Sequence, residues 1–322
     1  MPGINARNGA DESDPIVGNI TRSVVDWVAR NMPMKESHSE FVTIRGLKIH
    51  FRCWGDPSAP LLIMLHGYQD ESASWQFTVD AMQGPWRVIA PDWRGYGLSE
   101  WTGSDSYWYP DYLADLDHML EHLSPDRPVR IVGHSLGANI AAVYAGLRPD
   151  RVSHLVNVDG FGPPMMRQDP APRRLAKWLA QLHDDTPQRP YLDFEEFALR
   201  MQSENPRLTD ERARFIVRHW GREEDGGVVR RADPAHKRIN PLPLTQDEVT
   251  ACWRQTSASV LWIDGAASGL MARLSALPSE FEDRAGAYQD LQIRHVDDAG
   301  HNVHHDQPEA LARLLEEFMA DR

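Results

Sequence analysis

The sequence predicts a layered α/β fold: a mostly parallel sheet flanked by helices, with a helical cap inserted late in the chain. Three observations carry that expectation. Short, almost continuously apolar runs at residues 61–65, 88–90, 129–132, 155–158 and 260–263 suit parallel strands covered on both faces. Helix-like patterns lie between these runs, and regular alternation of the two is the mark of a layered sheet. About a hundred residues then separate Val158 from Val260, too many for a connection without structure of its own.

Taken in order, residues 1–18 are polar and rich in Gly, Pro and Asp, which suits a loose leader. Asn19 is placed to cap a short helix with Ile20, Val24, Trp27 and Val28 on one face, so residues 1–40 are set apart from the core. Residues 41–44 and 47–54 alternate or nearly alternate around Arg45-Gly46, predicting a β-hairpin. Helices are expected over 107–123 (Tyr112, Leu116, Met119, Leu120), over the Ala-rich stretch 136–148, and over 307–320 (Leu311, Leu314, Leu315, Phe318). A final strand at 291–296 alternates. The core is therefore assigned to residues 41–162 and 250–322, and the cap to 163–249, entered at Pro163-Pro164 and left near Pro241 and Pro243. The apolar faces Phe194/Phe197 and Phe215/Ile216/Trp220 are suited to roof a pocket.

Composition narrows the class of function. The 322 residues are 41% apolar and 25% charged, and no apolar run approaches the ~18–20 residues needed to span a bilayer. The first residues lack a basic start and an apolar stretch, so a cytoplasmic location is expected. Cys53 and Cys252 then read as two free thiols rather than a disulfide. A formal charge of −13 disfavours nucleic acid and anionic membrane surfaces as partners. The cap stretch is formally neutral, with 15 Lys/Arg against 15 Asp/Glu, so the rest of the chain carries all the excess acid.

The chemistry centres on Gly133-His134-Ser135-Leu136-Gly137, between the apolar run 129–132 and an Ala-rich helix. A Gly-x-Ser-x-Gly at a strand-to-helix turn holds a serine exposed above the sheet at a helix N-terminus, as a nucleophile. Such a serine needs a base, and His301 follows the last strand, where a loop residue can reach a neighbouring strand's loop. His304 and His305 add two more histidines nearby. They come without a carboxylate or cysteine at metal-ligand spacing, so neither metal nor cofactor is expected. At the end of another apolar strand stands Leu65-His66-Gly67-Tyr68, where a backbone N–H can join that of Leu136 in an oxyanion hole. His66 reads as a structural histidine. The glycine-rich stretch Asp92-Trp93-Arg94-Gly95-Tyr96-Gly97-Leu98-Ser99 lacks the Lys-Ser/Thr of a phosphate loop.

From about residue 41 onward the chain resembles the α/β-hydrolase superfamily, in its lidded esterase, epoxide hydrolase and dehalogenase-like branch. His66-Gly67, the 92–99 stretch, Gly133–Gly137 and Gly300-His301 occur in that family's order and spacing. The resemblance implies the α/β-hydrolase fold, an eight-stranded sheet with a cap after the sixth strand. It implies Ser135 as nucleophile, His301 as base, and the N–H groups of Tyr68 and Leu136 as oxyanion donors. Epoxide hydrolases and haloalkane dehalogenases of this branch carry an aspartate nucleophile, so Ser135 disfavours both activities.

The triad acid departs from the family pattern. The usual Gly-x-x-Asp turn after the seventh strand reads Gly265-Ala266-Ala267-Ser268 here, with no carboxylate until Glu280. Asp159, at the end of the sixth strand, is one alternative; its strand adjoins the nucleophile's at ~5 Å. Asp264 is the second, and a histidine working without an acid is the third. Asp159 is preferred. The expected activity is cleavage of a small-molecule carboxylic ester with an apolar part under the cap, though amides, lactones and carbon–carbon bonds suit the same machinery. The competing reading is a cofactor-independent dioxygenase, which the chain resembles in Trp86–Pro91, Trp93-Arg94-Gly95 and the place of Asp159. There His301 and Asp159 would act as a base dyad on an aromatic hydroxyl.

Overall fold

A computed structural model describes residues 34–163, 170–184, 188–269, 272 and 278–320. The chain divides into Met1–Lys35 and Glu36–Arg322, and the sheet with its covering helices belongs to the second unit. The helix expected after Asn19 lies outside the described residues.

The hairpin forms as β1 (Ser37–Ile44) and β2 (Leu47–Trp54), joined by Arg45-Gly46, both with positive φ. It begins four residues before the expected position, because Ser37–Glu40 continue the antiparallel register against Trp54, Cys53, Arg52 and Phe51. The apolar runs become β3 (Leu61–Leu65), β4 (Arg87–Pro91), β5 (Val129–His134), β6 (Val152–Val158) and β9 (Ser259–Gly265), and the last strand is β10 (Leu291–Val296). One eight-stranded sheet results, in the order β1-β2-β4-β3-β5-β6-β9-β10. From β4 to β10 every neighbouring pair is parallel; β2 pairs antiparallel with both β1 and β4.

The continuous apolar runs are explained by burial on both faces. Ile63, Ile131, Leu155 and Val260 point to one side, where they pack with Leu116, Met119, Ile140, Ala141 and Trp253. Their neighbours Leu62, Val132, Val156 and Leu261 point to the other, against Trp75, Val79, Leu311 and Leu315. The helices supplying the first layer are α2 (Tyr109–Leu123), α3 (Leu136–Leu147) and α7 (Gln246–Trp253). The second comes from α1 (Gln76–Ala81) and α8 (Pro308–Ala320). Cys53 and Cys252 are both free.

The stretch after β6 holds α4 (Ala171–Leu182), α5 (Phe194–Glu204) and α6 (Asp210–Trp220). It also holds a small hairpin, β7 (Gly221–Glu224) with β8 (Gly227–Arg230), which the helical expectation did not include. The aromatic faces of this stretch serve packing. Phe197, Ile216 and Trp220 are buried in a cluster that reaches down to Phe77 of the core, and the Trp220 indole N–H donates to Ser74 Oγ at 3.1 Å. Phe215 meets Phe77 edge-on with ring centroids 5.1 Å apart. These side chains join the stretch to the core. No helix among the described residues is long and apolar enough to cross a membrane.

Candidate active site

Ser135 sits at the tip of β5 with φ +48° and ψ −109°, a conformation that L-residues rarely adopt. Its flanking glycines are required by space. A Cβ on Gly133 would lie 2.6 Å from the Ala138 backbone, and one on Gly137 would lie 2.5 Å from the carbonyl oxygen of Leu65. The turn is fixed across the sheet by the Ser135 N–H, which donates to Val158 O at 2.9 Å. Val158 ends β6, so the next residue, Asp159, is carried directly beside the serine. Asp159 is also at positive φ (+51°), with its N–H on Ile263 O at 2.8 Å.

The three polar groups meet in a chain. Nε2 of His301 is 3.0 Å from Ser135 Oγ, and its Nδ1 hydrogen-bonds Oδ2 of Asp159. A carboxylate at Nδ1 holds the proton there and leaves Nε2 free to accept from the serine hydroxyl. Asp159 is fully buried, whereas the imidazole side chain is 43% exposed. The same carboxylate oxygen accepts from Ser268 Oγ at 2.8 Å, and Oδ1 is buried without a partner among the described residues. Ser268, standing where the family's usual acid would be, thus hydrogen-bonds the aspartate that faces the histidine. Asp264 turns to the neighbouring strand, where both its oxygens accept from His295 Nδ1 at 2.8 and 2.9 Å.

The loop after β3 runs against the serine turn. A Cβ on Gly67 would meet His134 Nδ1 at 2.6 Å and Ser135 Cβ at 3.3 Å. Tyr68 follows, its hydroxyl donating to His236 O at 3.1 Å, and Leu136 opens α3, whose first-turn N–H groups have no intrahelical acceptor. His66 is a satisfied core residue: Nδ1–H donates to Gly67 O at 2.8 Å and Nε2 accepts from the Trp93 N–H at 2.9 Å.

Near the serine, His134 joins His304 and His305 in a buried cluster whose carboxylate partner, Asp70, sequence reading missed. His134 Nε2–H donates to the His301 carbonyl at 2.9 Å and thereby holds the His301 loop. His304 Nε2 bonds Asp70 Oδ2 at 3.0 Å, across 234 positions of chain, and stacks near His134 and His305 with centroids 4.4 and 4.0 Å apart. Burial pushes the His304 and His305 imidazoles down to about 3, and burial with His304 and His301 nearby holds His134 well below the usual range. All three are therefore neutral. The three-in-five histidine density of the sequence was the one local signal; its partner, Asp70, is distant in sequence. Donor atoms of Asp70, His304 and His305 lie within 4.8 Å of one another, as do those of His38, Glu40 and Cys53, so these are the described groups able to surround a metal. The Asp70 oxygens already accept from the Glu71 N–H, Ser74 Oγ and His304 Nε2.

Comparison with known proteins agrees with this architecture. A serine hydrolase-like protein of Danio rerio is 27% identical over 296 residues, covering 89% of this chain and 90% of its own. Epoxide hydrolase 3 of Xenopus tropicalis is 32% identical over 112 residues, which is 34% of this chain and 30% of that protein. The thioesterase domain of a curacin biosynthetic pathway superposes with a TM-score of 0.79 at 24% identity, covering 88% of this chain and 99% of the domain. An esterase of Mycobacterium tuberculosis superposes with a TM-score of 0.71 at 23% identity, covering 97% and 99%. At such identities the structural likeness speaks to fold alone. Residues 60–257 match the alpha/beta hydrolase fold family, and the chain belongs to it.

Proposed function

We propose that the protein is a serine hydrolase that cleaves a carboxylic ester through an acyl-enzyme on Ser135. The observation that carries this reading is the 3.0 Å approach of Ser135 Oγ to a histidine whose other nitrogen is held by a buried carboxylate. His301 takes the serine proton as Oγ attacks the carbonyl, and Asp159 stabilises the imidazolium that forms. The N–H groups of Tyr68 and Leu136 flank the serine and serve as donors to the oxyanion. His301 then protonates the leaving alcohol, and water, activated by the same histidine, releases the acid. A cavity of about 220 Å³, walled by Leu136, Tyr109, Leu244 and Val249, begins at the residue after the nucleophile and suits the apolar part of the substrate.

The names of the relatives span serine hydrolases and epoxide hydrolases. Attack on an epoxide in this fold uses an aspartate at the turn, and Ser135 stands there instead. The dioxygenase reading needs only the His301–Asp159 dyad, which is present; the serine hydroxyl at Nε2, where a substrate hydroxyl would bind, favours hydrolysis. The test is a fluorophosphonate probe with a panel of activated esters. Covalent labelling at Ser135 and loss of turnover in Ser135→Ala are expected. Labelling elsewhere, or full esterase activity in that variant, overturns the proposal.

A further inference from the structure

A second cavity, of about 660 Å³, has Gln69, the residue after Tyr68, in its wall. In a chain of formal charge −13 its lining is cationic: Arg189, Arg200, Arg230 and Lys237 face it, against Glu196 and Asp233. Both acids are already engaged. Glu196 Oε2 accepts from the Leu192 N–H at 2.5 Å, and Asp233 accepts from the Ala235 N–H at 2.9 Å and the Tyr107 hydroxyl at 2.8 Å. Arg200 pairs with Glu204 at 2.9 Å. Among the described residues no carboxylate lies within ion-pair distance of Arg189, Arg230 or Lys237.

Arg230 is the best-held of these. Its guanidinium lies 5.0 Å from the Phe197 ring and 5.2 Å from the Trp220 ring, and it donates to Gln69 O at 3.4 Å. A cation oriented by two aromatic faces and lacking a counter-ion is already arranged to receive an anion, with little side-chain freedom left to lose. Gln69 adds a polar amide to the same wall. Its backbone is in the left-handed region at φ +59°, which turns the chain from Tyr68 into this wall.

We propose that this cavity, which shares no lining residue with the apolar cavity at Leu136, is a subsite for an anionic oxygen group of the substrate, a carboxylate or a phosphate, borne on a different part of it from the apolar one. The proposal rests on the Ser135 hydrolase reading for the place of the scissile bond. The substrate is then an ester with two unlike ends, one apolar and one negatively charged.

The test uses matched esters whose acyl or alcohol portion ends in a carboxylate, a phosphate monoester or a neutral methyl-capped isostere. Hydrogen bonds to charged groups predict a kcat/KM at least about tenfold higher for an anionic member than for its neutral isostere. Which anion shows the larger preference identifies the group. That ratio should fall about tenfold in Arg230→Met and at least about threefold in the Arg189→Gln/Lys237→Gln double variant, chiefly through KM. Arg189 and Lys237 are exposed, so the double variant does not depend on refolding around a buried change. Half a molar salt should compress the ratio further. Calorimetry of Ser135→Ala with the anionic ester provides a reading independent of turnover. Hydrolysis of neutral esters with no anionic preference in either series refutes the subsite and leaves the hydrolase reading intact. If no ester is turned over, yet Ser135→Ala binds the anionic ester and Ser135→Ala/Arg230→Met does not, the hydrolase reading falls and the subsite stands.

Discussion

Replacing Asp159 by asparagine removes the charge beside His301 and keeps the shape. The magnitude follows from the environment of the carboxyl. It is fully buried, and Oδ2 carries both its hydrogen bonds, one from His301 Nδ1 and one from Ser268 Oγ. An asparagine amide N–H directed at Nδ1 would favour the tautomer protonated at Nε2, which cannot accept from Ser135. In a serine-protease triad the same change lowers turnover by ~10⁴, or ~5.5 kcal/mol of barrier. His301 is partly exposed here, so solvent supplies some of the lost stabilisation of the imidazolium, and a loss of at least ~10² in kcat is expected. Asp264→Asn should cost no more than a few-fold, because that carboxyl faces His295. An exchange is sharper still. Ser268 Oγ is 2.8 Å from the Asp159 oxygen, so Asp159→Ser/Ser268→Asp should recover at least ~10-fold over Asp159→Ser. Initial rates on an activated ester, normalised by active-site titration and accompanied by thermal melts, decide the matter. Collapse of Asp264→Asn beside a near-normal Asp159→Asn would move the acid to β9. Equal, mild losses in both would mean that His301 works without a carboxylate.

Two further outcomes concern stability. His304 and His305 are neutral when folded, with values near 3, but titrate near 6.5 when unfolded, so below that pH the unfolded chain binds more protons and stability falls as pH falls. Each contributes ~1.4 kcal/mol per pH unit around pH 5. Urea unfolding of His305→Gln at pH 6 and pH 5 should therefore show a slope shallower by about that amount, and an unchanged slope would contradict a neutral His305. Trp220→Ala should lower stability by ~3–5 kcal/mol, since it empties a buried site and leaves Ser74 without its indole donor. A loss under ~1 kcal/mol in denaturant unfolding would mean that the stretch after β6 is not held to the core through this residue.

The sheet was legible because its physics is local. A run such as Ile131-Val132 is apolar on both faces, which only a strand covered twice requires, and alternate residues indeed enter opposite helix layers. The serine turn was legible for the same reason, its two glycines being demanded by contacts a few residues away or on the adjoining strand. Legibility failed where partners are distant. Nothing near His304 in sequence announces Asp70, and nothing near Arg230 announces Phe197 or Trp220. The hairpin β7–β8 escaped notice because its strands have four residues each, too short for a period to register. The aromatic faces of α5 and α6 were visible, but amphipathicity says only that a face is covered. Whether it covers substrate or a phenylalanine of the core is decided by tertiary packing.

On the proposed assignment of Asp159 as the acid, its position shows how a family pattern can shift along the chain without disturbing the site. What the base requires is one carboxylate oxygen at Nδ1 of His301, and that point is defined by the His301 loop, not by any one strand. The loop is held by His134 Nε2–H on the His301 carbonyl and by the Gly300 N–H on Asp306. β6 and β9 are adjacent and parallel, with Val158 beside Ile263, so the residue leaving β6 and the turn leaving β9 converge on the same space. Asp159 fills it from one side and Ser268 Oγ meets it from the other, 2.8 Å away. A carboxylate from either strand end satisfies the histidine, but two in that buried space would repel, and one would be forced to stay protonated. An aspartate at 159 therefore favours a neutral hydrogen-bond donor at 268, which the serine supplies.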